Sequence, residues 1–205
     1  YAAVKDGYKK LGFMGGIAVP AVVRFGYGFV QGADAVAKEM KITDAAINYT
    51  YVGNFDASPE NQAIAASWFS EGTEVIFGCG GGVGNSVMKA AEAKGAKVIG
   101  VDVDQSAESK TVITSAMKNL GKAVYDTIAT VYDDKFEGGV MVTLDASVEG
   151  IQLPMDTSIF KTFKQADYDA LFAKLVDGSI KVQKDDAVAS ADKLTVEAIK
   201  VNVVK

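Results

Sequence analysis

Histidine is absent from the 205 residues, and cysteine occurs once, at Cys79. Without histidine there is no Ser–His or Cys–His nucleophile pair and no imidazole metal ligand. A lone cysteine builds neither an internal disulfide nor a cysteine zinc cluster. Cations are also scarce, 21 Lys and Arg against 26 Asp and Glu, and they do not cluster. That balance argues against a nucleic-acid partner, which calls for a basic face. No run reaches the roughly 18–20 apolar residues of a membrane-spanning helix. What remains is 49% hydrophobic and 23% charged, with three prolines: globular material with enough apolar side chains for a core. The opening YAAVKDGYKK has no Met, no signal-like apolar stretch and no capping residue. It reads as the second half of a helix, as if the chain began inside a longer protein.

Along the chain, strand, loop and helix alternate. KLGFMGG (10–16) is an apolar run ending in glycines, and Pro20 then suits the first turn of a helix, where its missing N–H costs nothing. Phe25, Phe29, Ala33, Val36, Ala37 and Met40 recur at helical spacing. AAINYTYVG (45–53) is rich in β-formers, and Ser58 with Pro59 marks the start of a helix over 59–70 that carries Ile64, Trp68 and Phe69. EVIFGC (74–79) and KVIGVD (97–102) are continuous apolar strands of the kind buried on both faces of a parallel sheet. Between them lies a helix over 86–94, capped by Asn85 and closed by Gly95. TVITSA (111–116) predicts a further strand, followed by a helix with Leu120, Val124, Ile128 and Val131 on one stripe. GVMVTLD (139–145) predicts another strand and DYDALFAKLVDG (167–178) another helix, with apolar-rich stretches at SIKV and the C terminus. This rhythm predicts a doubly wound parallel α/β sheet, whose ligands lie at the carboxyl ends of the strands. The loops at 15–20, 53–58, 78–85 and 102–110 are therefore the candidates.

GCGGGVG (78–84) follows a strand and opens a helix, and Asp102 lies where the ribose-binding acid of a dinucleotide site belongs. The G-x-G-x-x-G spacing fails in each frame, however: the third position holds Val83, Asn85 or Val87. A phosphate-binding P-loop fails too, because no Gly-Lys-Ser/Thr follows. A small ligand touching the backbone and a merely tight turn both remain. VDVDQ offers Asp102, Asp104 and Gln105, suited to acid–base work, a hard metal, sugar hydroxyls or simple capping. Lys118, read as the start of a helix, is unfavourably placed there unless an anionic or hydroxyl group meets it. Phe25 is either core or an aromatic plate, with core favoured by periodicity; Phe13, Met14 and Trp68 read as core.

Taken together, GYKKLGFMGGIAVPAVVRFGYGFVQGA, EVIFGCGGGVG and VIGVDVDQ…TSAMKN resemble the basic membrane protein family, the PnrA-like lipoprotein substrate-binding components of bacterial ABC transporters. The resemblance spans residues 1–135 and implies a type I periplasmic-binding fold. It implies a ligand-binding lobe over residues 1–116. Residues 117–205 would then be hinge crossings and a remnant of the N-terminal lobe, whose first part is missing. It further implies a purine nucleoside ligand (inosine, guanosine or adenosine), with Phe25 on the base, Asp102 and Lys118 on the ribose, and Gly80 and Gly81 offering bare backbone. Sugar-binding relatives place an arginine where Phe25 falls, so phenylalanine favours a base. The second aromatic would come from the absent lobe. A permease partner, a lipid anchor on the full-length protein and an extracytoplasmic location follow from the resemblance, with no catalytic residue, metal or cofactor. The alternatives are an NAD-dependent oxidoreductase using the glycine loop, or a stand-alone nucleoside or sugar sensor of the same fold.

Overall fold

The computed structural model describes residues 1–204. A short helix α1 (Ala2–Lys5) precedes β1 (Lys10–Gly15), α2 (Pro20–Met40), β2 (Ala45–Tyr51), α3 (Pro59–Ser70), β3 (Val75–Cys79), α4 (Gly82–Lys94), β4 (Lys97–Asp102) and β5 (Val112–Lys118). Helix α5 (Leu120–Tyr132), the two-residue β6 (Ile151–Gln152), α6 (Gln165–Val176) and β7 (Ile199–Val203) complete the order, with two short 3-10 turns. The strands form one seven-stranded sheet in the order β6-β5-β4-β3-β1-β2-β7. All neighbours are parallel except β5 and β6.

Alternation along the strands sends side chains to two cores. Phe13, Tyr49, Phe77 and Ile99 face α2, while Met14, Ile76 and Val98 face α3 and α4. Phe13 is fully buried, stacked on Tyr49 with ring centroids 4.6 Å apart and edge-on to Phe77 at 5.4 Å. Caps set the helix ends. Ser58 accepts from Asn61 N at 3.1 Å, Pro20 and Pro59 open their helices, and Gly95 closes α4 with φ 68°.

The structure departs from the sequence expectations at four places. The buried face of α2 is centred on Val22, Gly26, Val30, Ala33 and Ala37; Phe25 and Phe29 lie at its margin and Met40 is exposed. Helix α4 begins at Gly82 with Gly81 as its cap, and Asn85 is an exposed first-turn residue bonded to Glu108. No strand forms over 139–145, where Val140, Met141 and Val142 are exposed. A strand needs a neighbour to satisfy its backbone, and the described residues provide none there. Lys118 ends β5 rather than starting a helix; Asn119 caps α5, its side chain accepting from Lys122 N.

The last strand, β7, pairs with β2, so part of the 117–205 stretch is built into the same sheet as residues 1–116. Two aspartates hold these returning segments. Asp6 Oδ1 accepts from the backbone N–H of Lys161 and Thr162, both at 2.6 Å. Buried Asp34 accepts from Glu197 N and Ala198 N at 2.7 Å and pairs with Lys38 at 3.0 Å. Burial pushes the Asp34 carboxyl upward, but the two N–H groups and Lys38 outweigh it and hold it below the usual range. A carboxylate lowered on folding stabilises the native state above its unfolded value of about 4, and that stability is lost as pH falls through the lower native value. The urea midpoint is therefore expected to drop below pH ~4. In Asp34→Asn part of that dependence should vanish; an unchanged profile would show that the anchor carries no linkage.

Candidate functional site

The carboxyl ends of β3, β4 and β5 lie side by side, and the first turns of α2 face them. Between them opens a cavity of about 200 Å³ whose lining includes Phe25, Phe55, Gly80, Gly81, Asp102 and Lys118. The five residues that the family resemblance assigns to the ligand, Phe25, Gly80, Gly81, Asp102 and Lys118, thus meet at one place. Phe55, from the loop after β2, is the contributor that sequence reasoning missed; its loop was a candidate, but nothing in local spacing distinguishes that ring.

The chemistry is arranged around one ion pair. Lys118 Nζ lies 2.7 Å from Asp102 Oδ1 and 5.4 Å from the centroid of the Phe25 ring. Asp102 Oδ1 is shut off from water, and the contact has the character of an ion pair rather than an aligned hydrogen bond. The cationic head thus has unused donors, and the carboxylate has unused acceptor positions. Asp102 also takes φ 67°, a left-handed conformation that costs energy for any residue with a side chain and is least unfavourable for Asp and Asn. Phe25 stands edge-on to Phe77 at 6.0 Å, which fixes its ring. Its margin position on α2 makes it core on one edge and cavity wall on the other.

Asp104 and Gln105 are used inside the protein instead. Asp104 accepts from Ser106 N at 3.0 Å and from Thr157 Oγ1 at 2.7 Å. Gln105 Oε1 accepts from Val101 N at 2.8 Å, and its own N–H donates to Ser115 Oγ at 3.0 Å. These bonds brace the turn that presents Asp102.

The glycine run has an internal explanation. Gly80 and Gly81 have φ 144° and 52°, which side chains resist. A Cβ on Gly82 would collide with the backbone nitrogen of Ala57, and one on Gly80 would come within 3.0 Å of the Phe55 ring. The close approach of helix to strand occurs between Gly78 and Gly84: a Cβ on Gly78 would lie 3.0 Å from Gly84 Cα. The loop at 55–57, with the backbone of Gly16 beside it, is therefore what Gly80, Gly81 and Gly82 admit. The first N–H groups of α4 are also occupied: Gly82 N donates to Phe55 O at 2.9 Å, Val83 N to Gly80 O at 3.1 Å and Gly84 N to Gly81 O at 3.2 Å. A dinucleotide pyrophosphate needs those donors.

Cys79 also borders the cavity but is buried. Burial first, and then the Asp102 charge, push its thiol up to about 12. The thiolate is the reactive form, so native protein at pH 8 should resist maleimide labelling until denaturant is added. Rapid labelling of the folded protein would contradict this placement.

Comparison with known proteins decides the family. The model of the ABC transporter substrate-binding protein PnrA-like family matches residues 1–186. The chain belongs to that family. A nucleoside-binding ABC transporter protein, BmpA of Lactococcus lactis subsp. cremoris, is 31% identical over 191 residues, covering 84% of this chain and 52% of the relative. The CD4+ T-cell-stimulating antigen of Listeria monocytogenes is 32% identical over 192 residues, with the same coverages. Among solved structures, an ABC transporter solute-binding protein from Aeropyrum pernix superposes with TM-score 0.68 at 23% identity, covering 85% of this chain and 57% of that one. One from Conexibacter woesei does so with TM-score 0.67 at 24% identity, covering 87% and 58%. The fold of this PnrA-like chain is periplasmic-binding-protein-like, and the chain spans about half the length of the relatives it matches. The family's members are substrate-binding proteins rather than enzymes. Among the described residues, no helix is long and apolar enough to cross a membrane, and no group of three or more side chains is placed to hold a metal.

Proposed function

We propose that this chain is half of an extracytoplasmic, lipid-anchored substrate-binding protein that takes up a purine nucleoside (inosine, guanosine or adenosine) and delivers it to an ABC permease. One observation carries the reading: an aromatic ring, an ammonium and a carboxylate share one cavity, with Lys118 5.4 Å from Phe25 and 2.7 Å from Asp102. A base stacks on a ring, and vicinal hydroxyls bridge a carboxylate and an ammonium. The Lactococcus relative's description as nucleoside-binding supports the same ligand class. Lys118 lies over the Phe25 ring and neutralises Asp102, so its ammonium and the carboxylate stand side by side where a ribose would reach both. Gly80 and Gly81 would add close backbone approach beside it.

The cavity's volume of about 200 Å³ is smaller than the roughly 300–1,000 Å³ of a complete small-molecule site. A facing lobe would complete it. On this reading residues 1–116 form the core of the ligand-binding lobe. Within 117–205 the hinge crossings and the remnant of the other lobe centre on α5 and the segment to 145. Helix α5 supports that division: Leu120, Val124, Ile128 and Val131 form an apolar stripe, yet none of its residues is buried. Such a stripe calls for a covering element. Closure would then be a hinge motion biased by contacts the ligand makes in the shut form. Crystals of the full-length protein grown with inosine test the site. Density for the base against Phe25 and for the ribose on Asp102 and Lys118 is expected; a nucleoside bound away from all three would overturn the assignment.

A further inference from the structure

The sheet is split where the cavity lies. The β1–β3 ladder runs to the end of β3, at Gly15 and Cys79, and the β4–β5 ladder runs to the end of β4, at Asp102 and Met117. Between them the β3–β4 ladder stops earlier, at Phe77 and Ile99. Beyond that point the two strands part, and the parted ends supply Cys79, Gly80, Val101 and Asp102 to the cavity lining. Parting costs backbone partners. Lys97 N donates to Glu74 O, on the β3 side, and Val98 N to Thr111 O, on the β5 side. N–H groups alternate in direction along a strand, so that of Val101 points toward β3, where the ladder has already ended. Val101 is buried, and an unmet N–H there would be costly.

The side chain of Gln105 takes the missing strand's place. Its Oε1 accepts from Val101 N at 2.8 Å, as a strand carbonyl would. The rest of the residue is tied to β5 and α4. Its backbone N–H donates to Ser115 Oγ at 3.0 Å, and its Nε2 donates to Glu108 Oε1 at 3.1 Å; the other Glu108 oxygen accepts from Asn85 of α4 at 3.2 Å. Gly100 leaves room for it, since a Cβ there would lie 2.6 Å from Ser115 Oγ and 2.7 Å from Gln105 Oε1. Asp102 takes its left-handed φ of 67° directly after this substitute bond. Resting on the nucleoside reading above, we propose that Gln105 is the positioning residue of the site: by replacing the missing strand partner it stabilises the gap between β3 and β4 and holds Asp102 where its carboxylate meets the ribose. Gln105 is not among the residues lining the cavity, so it acts through Asp102.

The test combines inosine titration of the full-length protein with amide hydrogen exchange. Gln105→Met keeps the length of the side chain and removes the acceptor. It is expected to weaken inosine about 10-fold, the order of one lost hydrogen bond, while adding little to the loss already present in Asp102→Asn. Pairing Gln105→Glu with Glu108→Gln keeps an acceptor for Val101 and a bond between positions 105 and 108, and should restore most of that affinity. In the ligand-free protein the Val101 amide should exchange at least about 10-fold faster in Gln105→Met, with the β1 and β2 amides unchanged. An equal loss of inosine affinity in the wild-type and Asp102→Asn backgrounds, or unchanged Val101 exchange, overturns the role of Gln105 while leaving nucleoside binding intact. Absence of inosine binding in the wild type removes the nucleoside reading itself, and the Val101 exchange still decides for or against the substitute bond.

Discussion

Replacing Asp102 in the full-length protein is expected to weaken purine nucleoside binding by about 1–3 kcal/mol, some 5- to 150-fold, the usual cost of losing a charge-assisted hydrogen bond. Lys118→Ala should lose a similar amount. The two are not independent, because Lys118 Nζ rests 2.7 Å from Asp102 Oδ1 and removing one leaves the other unpaired. The double variant should therefore lose less than the sum of the singles. The choice of substitution matters at Asp102. Its φ of 67° is tolerated by Asp and Asn but strained for Ala, so Asp102→Ala combines lost contact with backbone relaxation. Asp102→Asn keeps the shape and the conformation and removes only the charge. Unchanged affinity in Asp102→Asn and Lys118→Ala would place the ribose elsewhere.

A second large effect is expected in folding stability, at the glycine run that borders the cavity. Gly82→Ala should destabilise the protein by about 1–3 kcal/mol, because the new methyl meets backbone rather than a movable side chain. It would collide with Ala57 N and lie 2.8 Å from the Asp56 carbonyl carbon, forcing the loop off the helix and straining the bond from Gly82 N to Phe55 O. Gly84→Ala, two residues along the same helix, is the internal control. Its Cβ would meet only Gly78 O, at an ordinary 3.6 Å, while the helix gains roughly 1 kcal/mol of propensity. Thermal unfolding should thus separate two identical substitutions in opposite directions. If both were tolerated, the glycine run would not be a seat for the 55–57 loop.

That contrast shows where sequence reasoning stopped. The alternation of apolar strands and amphipathic helices gave the parallel sheet and the loops that matter, because periodicity reports burial directly. Asp102 was legible as the acid ending a predicted strand and Lys118 as a lysine at an expected helix start, but their pairing was not, since it depends on β4 lying beside β5. Phe25 was ambiguous because a residue at the margin of a helix face is both core and wall. The glycines were misleading in a different way: a run of them announces close approach without saying of what. Here much of the approach is by Phe55 and Ala57, which lie far from the glycines in sequence. The expected strand at 139–145 failed for a complementary reason, since β-propensity reads side chains and cannot see whether a pairing neighbour exists.

Isothermal titration of the wild-type full-length protein with inosine, guanosine and adenosine is the most direct measurement, with ribose and NADH as controls. Saturable one-to-one heat with at least one of the nucleosides, none with NADH and little with ribose is the expected result. No heat with any of the three nucleosides would contradict the assignment of this cavity to a purine nucleoside.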